Sequence, residues 1–222
     1  MADTTRTKPE VGGDLVRVHR AITRALSITH SQGDAYAAQG LPEAQTWKGY
    51  LSYARCTVTL LHGHHVTEDE AMFPYFRARF PNAPYDTLTA QHQEMVRILH
   101  EIAPALKNLQ SAEPLSALRA FTPGVKQIAE LWETHAGLEQ AHFGPEAIDA
   151  AYTMRERERA GLAIMARGAP HQWPPMLMIP FTFYNMPPSD RAIMERAIPV
   201  IMPLMLSLSR PWWKIMAPLL IL

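Results

Sequence analysis

Apolar residues recur at steps of three and four along most of this chain. Leu15, Val18, Ile22 and Leu26 set that period first and predict a helix over 14–38. Leu41-Pro42 marks a turn into a long second helix over 42–79. Phe80-Pro81-Asn82-Ala83-Pro84 is a firm break. A third helix is predicted over 85–109, kinked near Pro104. A further segment starts at Pro114 and is interrupted at Thr122-Pro123-Gly124, where Thr122 suits an N-cap and Pro123 the first helical position. The helix that follows reaches about Phe143, and Gly144-Pro145 bends or restarts the chain. The charged run Arg155-Glu156-Arg157-Glu158-Arg159 predicts a solvent-facing helix ending near 167. No segment reads convincingly as a strand, so the expected class is all-α.

The pattern changes after Gly168. Residues 170–222 hold ten of the 19 prolines, seven of the 12 methionines and three of the five tryptophans. Such a segment is too apolar to stay solvated as a linker. It is expected to be extended or broken helix, with one short helix over 190–197, packed on the rest of the chain or on a second subunit. The second arrangement would make a homodimer. The expected division is a polar N-terminal tail over 1–13, a helical domain with a trailing helix over 14–168, and a C-terminal extension over 169–222.

Charge narrows the function classes. Lys and Arg together number 21, as do Asp and Glu, so nothing points to nucleic acid or to a strongly charged partner. The single cysteine, Cys56, excludes an intrachain disulfide framework and reads as a small buried hydrophobe. No apolar run is long enough to span a membrane, and the N-terminus lacks a secretory pattern, so a cytoplasmic location is expected. Phosphate-binding glycine loops, CxxC pairs and a Gly-x-Ser-x-Gly elbow are absent from the sequence.

Histidine and glutamate carry the chemistry. His64-x3-Glu68 is followed by a proline ten residues after the histidine, and so is His135-x3-Glu139, 71 residues further on. A lone histidine precedes each pair at a similar distance: His19 lies 45 residues before His64, and His92 lies 43 before His135. The chain therefore reads as two copies of one unit. Residues at i and i+4 share a helix face, so each pair can address one metal from one helix. Four imidazoles and two carboxylates on four helices can project into a bundle core. That donor set suits iron, manganese or zinc. As ordinary core residues, the same six would leave Glu68 and Glu139 buried without partners, which is costly.

With Phe73-Pro74 closing the first half, this pattern resembles the hemerythrin-like, or HHE cation-binding, family over 14–150. The resemblance implies an up-down-up-down four-helix bundle around a non-haem di-iron centre. It implies His19, His64, Glu68, His92, His135 and Glu139 as iron ligands, with both glutamates bridging. It further implies binding, sensing or reductive handling of O2, peroxide or nitric oxide. Oxygen-carrying members have a second histidine one turn after the third-helix histidine, where this chain has Val96. The resulting open position keeps an alternative in view: a di-iron oxidase or oxygenase acting on an apolar small molecule held under the C-terminal extension. Manganese or zinc are the alternative metals.

Four further residues are expected in the pocket or around the ligands. His65 should project about 100° from His64 on the helix, which suggests a surface or supporting place, and it forms a competing His-x3-Asp pair with Asp69. Val96 should face the metal. Trp132, one turn before His135, should help form a dry wall with Leu60, Leu61 and Leu131. His142 follows His135 by seven residues on the same face, about 10 Å along the axis, which allows a pocket role and not ligation of the same ion.

Overall fold

The computed structural model describes residue 8 and residues 10–198 and 201–221. Most of the expected N-terminal tail, residues 1–7 and 9, lies outside the described residues. Among the described residues all regular structure is helical. The helices are α1 (Gly13–Gln39), α2 (Ala44–Thr67), α3 (Phe73–Phe76), α4 (Tyr85–Asn108), α5 (Pro114–Phe143), α6 (Pro145–Ala151), α7 (Met154–Gly168), α8 (Pro175–Tyr184), α9 (Pro188–Ala197) and α10 (Ile201–Met216). One π-helical turn, Glu68–Met72, joins α2 to α3.

The four long helices α1, α2, α4 and α5 share one core. Their buried positions follow the apolar period: Leu15, Ile22 and Leu26 on α1, Leu88, Met95, Ile98 and Ile102 on α4, and Leu118, Phe121, Val125, Ile128 and Trp132 on α5. Gly40 ends α1 at φ 98°, a conformation that side chains with a Cβ avoid, and its N–H donates to the Tyr36 carbonyl. Cys56 is buried in this core, and burial pushes its thiol up to about 12. A second, aromatic core of Phe73, Phe76, Tyr85, Phe143 and Tyr152 fills the space beyond Glu68 and Glu139.

The expected interruption at Thr122-Pro123-Gly124 does not occur. α5 runs unbroken through all three, and the Thr122 hydroxyl donates back to the Leu118 carbonyl instead of capping a new start. Proline inside a helix costs about 3 kcal/mol. Burial of neighbours such as Phe121 and Ile128, worth about 1.5–3 kcal/mol each, offsets it. Gly124 fits for a separate reason: a Cβ there would stand 2.2 Å from Ile102 Cγ2, so α4 and α5 approach closely at this point. α4 likewise continues through Pro104.

The C-terminal segment is far more helical than its proline content suggested. Several of its prolines fall in first turns: Pro175 and Pro188 open α8 and α9, where the missing N–H costs nothing. The short helix expected over 190–197 is the body of α9, and α8 and α10 are helices where extended chain was expected.

This segment sits on α2, whose buried residues therefore spread round more than one face. Gly49 and Gly63 lie fourteen residues apart, close to four full turns, on the face that receives it. A Cβ on Gly49 would stand 1.9 Å from the Ile215 carbonyl oxygen, and one on Gly63 would stand 2.8 Å from that of His171. Polar ties add to the seat. Arg24 of α1 donates to Asn185 Oδ1 at 2.7 Å and to the Leu219 carbonyl at 2.8 Å, and the buried Tyr53 hydroxyl donates to Asn185 Oδ1. Arg20 pairs with Asp190 at 2.7 Å.

Gly49→Ala is therefore expected to lower the melting temperature. Overpacking of this kind costs about 1–3 kcal/mol, or roughly 2–12 °C for a chain of this size. An unchanged thermal transition followed by circular dichroism would show that α10 does not rest on Gly49.

Candidate metal centre

The four long helices each deliver side chains to one level of the interior. α1 brings His19, α4 brings His92, and α5 brings His135 and Glu139. His64 and His65 come from the last turn of α2, and Glu68 from the start of the π-helical turn. All seven are buried. Apolar layers close the level on both sides, with Leu60, Leu61 and Trp132 in one and Phe73 and Phe143 in the other.

Two overlapping groups form. In one, ligand atoms of His19, His64, Glu68 and Glu139 lie within 4.8 Å of one another; in the other, those of His65, Glu68, His92 and His135 do so. Glu68 belongs to both. His64 Nε2 is 2.9 Å from Glu68 Oε1, and His19 Nε2 is 3.1 Å from Glu139 Oε2. His92 Nε2 is 3.1 Å from His135 Nε2 and 3.4 Å from Glu68 Oε2. His135 Nε2 is 3.4 Å from Glu139 Oε2.

These approaches are close, yet most are not hydrogen bonds. Both oxygens of Glu68 and of Glu139, Nε2 of His19 and His64, and both ring nitrogens of His65 are buried with no hydrogen-bond partner. The short separations lack hydrogen-bond alignment, although the ligand atoms of each group lie within 4.8 Å of one another. Ligand atoms at right angles around an ion at about 2.1 Å stand about 3.0 Å apart, and tetrahedral ones about 3.4 Å. The observed spacings fall on those values, so the residues fit a metal cation. Without one, a buried unpaired carboxylate carries a penalty of several kcal/mol.

The outer nitrogens are held from behind. His92 Nδ1 lies 3.0 Å from Asp69 Oδ1, and His135 Nδ1 lies 3.1 Å from Gln91 Oε1. With the proton on Nδ1, each ring donates to its carboxylate or amide oxygen and turns Nε2 inward. His19 Nδ1 has the Gln140 side-chain amide 3.3 Å away. Trp132 walls the group, its ring centroid 5.1 Å from that of His19 and 5.6 Å from that of His135. Its indole N–H donates to Thr23 Oγ1 at 2.9 Å.

The electrostatics follow from burial opposed by charge. Burial lowers His19, but Glu139 and Glu68 overcome it and raise the ring to about 9. His92 is raised to about 9 in the same way, by Asp69 and Glu68 against burial. His64 and His65 are lowered, His65 strongly, because burial dominates and neighbouring imidazoles add to it. Burial pushes Glu68 up, yet His64, His19 and His92 hold it well below the usual carboxylate range. Two rings that stay neutral are ready as ligands, since a metal binds only the unprotonated imidazole nitrogen.

The structure brings together all six residues of the duplicated pattern and adds His65, which was expected at the surface or in support. The geometry explains the difference. On a helix Glu68 projects about 40° from His64, on the side toward His65, and so about 60° from His65. Two adjacent histidines thus straddle one carboxylate. The i, i+3 relation of His65 to Glu68 was the available sequence signal. His65 stacks on His92 with centroids 4.2 Å apart. Asp69, the other half of the competing His-x3-Asp pair, turns to His92. Val96 is half-buried one turn after His92. His142 enters neither group; it is half-buried, with its nearest ring contact Phe143 at 6.3 Å.

A pocket of about 290 Å³ abuts the centre, with His64 and Glu68 in its wall and α7, α8 and α9 supplying much of the remainder. Among the described residues no helix is long and apolar enough to cross a membrane.

Helices enclosing a buried, partnerless set of imidazoles and carboxylates define a cation-binding domain. A family model, the Hemerythrin HHE cation binding domain, matches residues 13–147, and the chain belongs to that family. No curated protein and no solved structure gives a significant match. The helices that cover the pocket, from α7 onward, lie beyond the matched residues.

If Asp69 fixes His92, Asp69→Ala should weaken metal binding by about 10- to 100-fold, measured by competition with a chromophoric chelator. Unchanged affinity would show that His92 is oriented by other contacts.

Proposed function

We propose that this chain holds two iron ions at the shared carboxylate Glu68 and uses them to bind or sense O2, with peroxide or nitric oxide as related ligands. The observation that carries this reading is the convergence of buried, partnerless donor atoms into two groups that share Glu68. His19, His64 and Glu139 would complete one position, and His65, His92 and His135 the other. Glu139, close to both His19 and His135, would bridge with Glu68. Imidazole-rich sites with few carboxylates suit iron; manganese and zinc are the alternatives.

In this assignment His65 supplies from α2 the imidazole that Val96 does not supply from α4. The four long helices form an up-down-up-down bundle, a topology that the short links α1–α2 and α4–α5 favour. Residues 14–168 make up the metal-binding domain with its trailing helix, and 169–222 an extension seated on α2. A homodimer and a cytoplasmic location remain part of this proposal, without bearing on the site.

Bound iron would supply one-electron redox change and a position for a small ligand. The chain's own contribution is positional. Asp69 and Gln91 hold two rings in register, while Trp132, Leu60 and Leu61 exclude water from the ligand level. An oxidase or oxygenase would differ by needing an organic ligand beside the metals, and the pocket against His64 and Glu68 is the observation that favours this second reading.

Elemental analysis of purified protein is expected to give about two metal ions per chain, and His64→Ala or His135→Ala should each lose at least one. His65→Ala should lose about one ion, and adding Val96→His to it should restore that ion. Full loading of His65→Ala would remove His65 from the ligand set; full loading of both other variants would overturn the centre. The reduced, iron-loaded protein should develop a visible absorption band on exposure to O2 and lose it under argon. Rapid irreversible oxidation would displace binding in favour of turnover.

A further inference from the structure

We infer that the pocket beside the metal centre binds an uncharged, mainly hydrocarbon molecule carrying one hydroxyl or similar donor. This deepens the metal-centre reading and rests on it only for the ligand's place next to His64 and Glu68.

Size comes first. An apolar cavity of about 150 Å³ accommodates benzene, so about 290 Å³ suits a ligand of roughly ten to twelve non-hydrogen atoms. The volume sits just under the usual range for small-molecule pockets.

The walls decide polarity. Met72, Met165, Met178 and Met194 contribute flexible, polarizable surface, which adapts to a hydrocarbon chain. Charge is one-sided: the described lining residues include Glu10, Asp14 and Glu68 and neither lysine nor arginine. Glu10 and Asp14 are held by Arg157 at 3.4 Å and Arg17 at 3.0 Å, and Glu68 lies among imidazoles. Apart from the metal ions of the proposed centre, which imidazoles and carboxylates would already surround, an anionic ligand would meet Glu10 and Asp14 with no lysine or arginine in the wall facing it. A cationic one would have to leave water for a mainly apolar wall whose carboxylates are already engaged.

One polar group in the wall is left over. Gln172 donates through Nε2 to the Leu60 carbonyl at 3.3 Å, while its Oε1 is buried with no hydrogen-bond partner. A buried carbonyl oxygen without a partner is uncommon, and a ligand hydroxyl would satisfy it. Thr67 and Thr182, also in the wall, already donate to Gly63 and Met178 carbonyls.

The test uses the full-length, metal-loaded protein and four probes of matched length: 1-decanol, methyl nonyl ether, decanoate and decylamine. Calorimetric titration at pH 7.5 should show 1-decanol binding once per chain, with decanoate and decylamine at least tenfold weaker. The ether, which has no donor, should bind more weakly than the alcohol in the parent and equally in Gln172→Leu. Ile179→Trp on α8 and Ile164→Trp on α7 fill the pocket from two independent walls and should each abolish binding. Metal content and helical circular dichroism of the same samples separate this outcome from misfolding. Decanol binding by folded protein that takes up no metal when iron is supplied would overturn the metal reading and leave the pocket assignment standing. Three outcomes would overturn the pocket assignment: no saturable binding of decanol, equal binding of a charged probe, or binding that survives both tryptophan variants in folded protein.

Discussion

Everything in this fold is arranged around Glu68, a carboxylate that five imidazoles approach and no hydrogen bond satisfies. A buried carboxylate without compensation costs several kcal/mol, comparable to the whole net stability of many domains. Two such carboxylates, Glu68 and Glu139, sit at one level. Helix geometry makes the arrangement attainable, because positions three and four residues earlier on one helix place two imidazoles on either side of the same carboxylate. The histidines of the other long helices then reach the same level only if those helices pack at fixed heights. The apolar layers above and below set those heights and keep water out.

That constraint explains why the polar support is selective. His92 and His135 have acceptors behind them, whereas His65 has none on either nitrogen. A ring with neither nitrogen satisfied is expensive in an apolar interior, and stacking on His92 does not replace a hydrogen bond. A cation would engage one nitrogen and relieve part of that cost. The same accounting applies to Gln172 Oε1 in the wall of the adjoining pocket, a second place where a buried polar atom has no hydrogen-bond partner.

Much of the site was legible because its signal is local. His64-x3-Glu68 and His135-x3-Glu139 express a helix period, and the duplication ties His19 and His92 to them. His65 was read as a surface or supporting residue because its angle was taken from His64 and not from Glu68; it is buried, close to Glu68. Asp69 was weighed only as an i, i+4 competitor pairing with His65, because its contact with His92 depends on how α4 packs. The same division holds for the fold. The long helices were legible from apolar spacing, but Thr122-Pro123-Gly124 looked like an interruption because the compensating contact, Gly124 against Ile102, lies on another helix. The C-terminal helices were missed because proline was counted as a breaker, although several occupy first turns.

The C-terminal segment changes what the cation-binding domain can do. α2 contributes both to the metal level and to the seat of this segment: Gly49 and Gly63 admit its backbone, and His64 and Glu68 lie at the pocket it helps to wall. Movement of α8 against α2 would therefore be felt within one or two turns of His64, because Met178 lines the same pocket as Leu60 and His64. A bundle alone would expose that flank of α2 to water. Met178, Ile179 and Phe183 line the pocket beside His64 and Glu68, so on this side the buried histidines and glutamates meet an apolar wall. In the proposed reading, one and the same packing of this segment would both keep water from the ligand level and decide what approaches it.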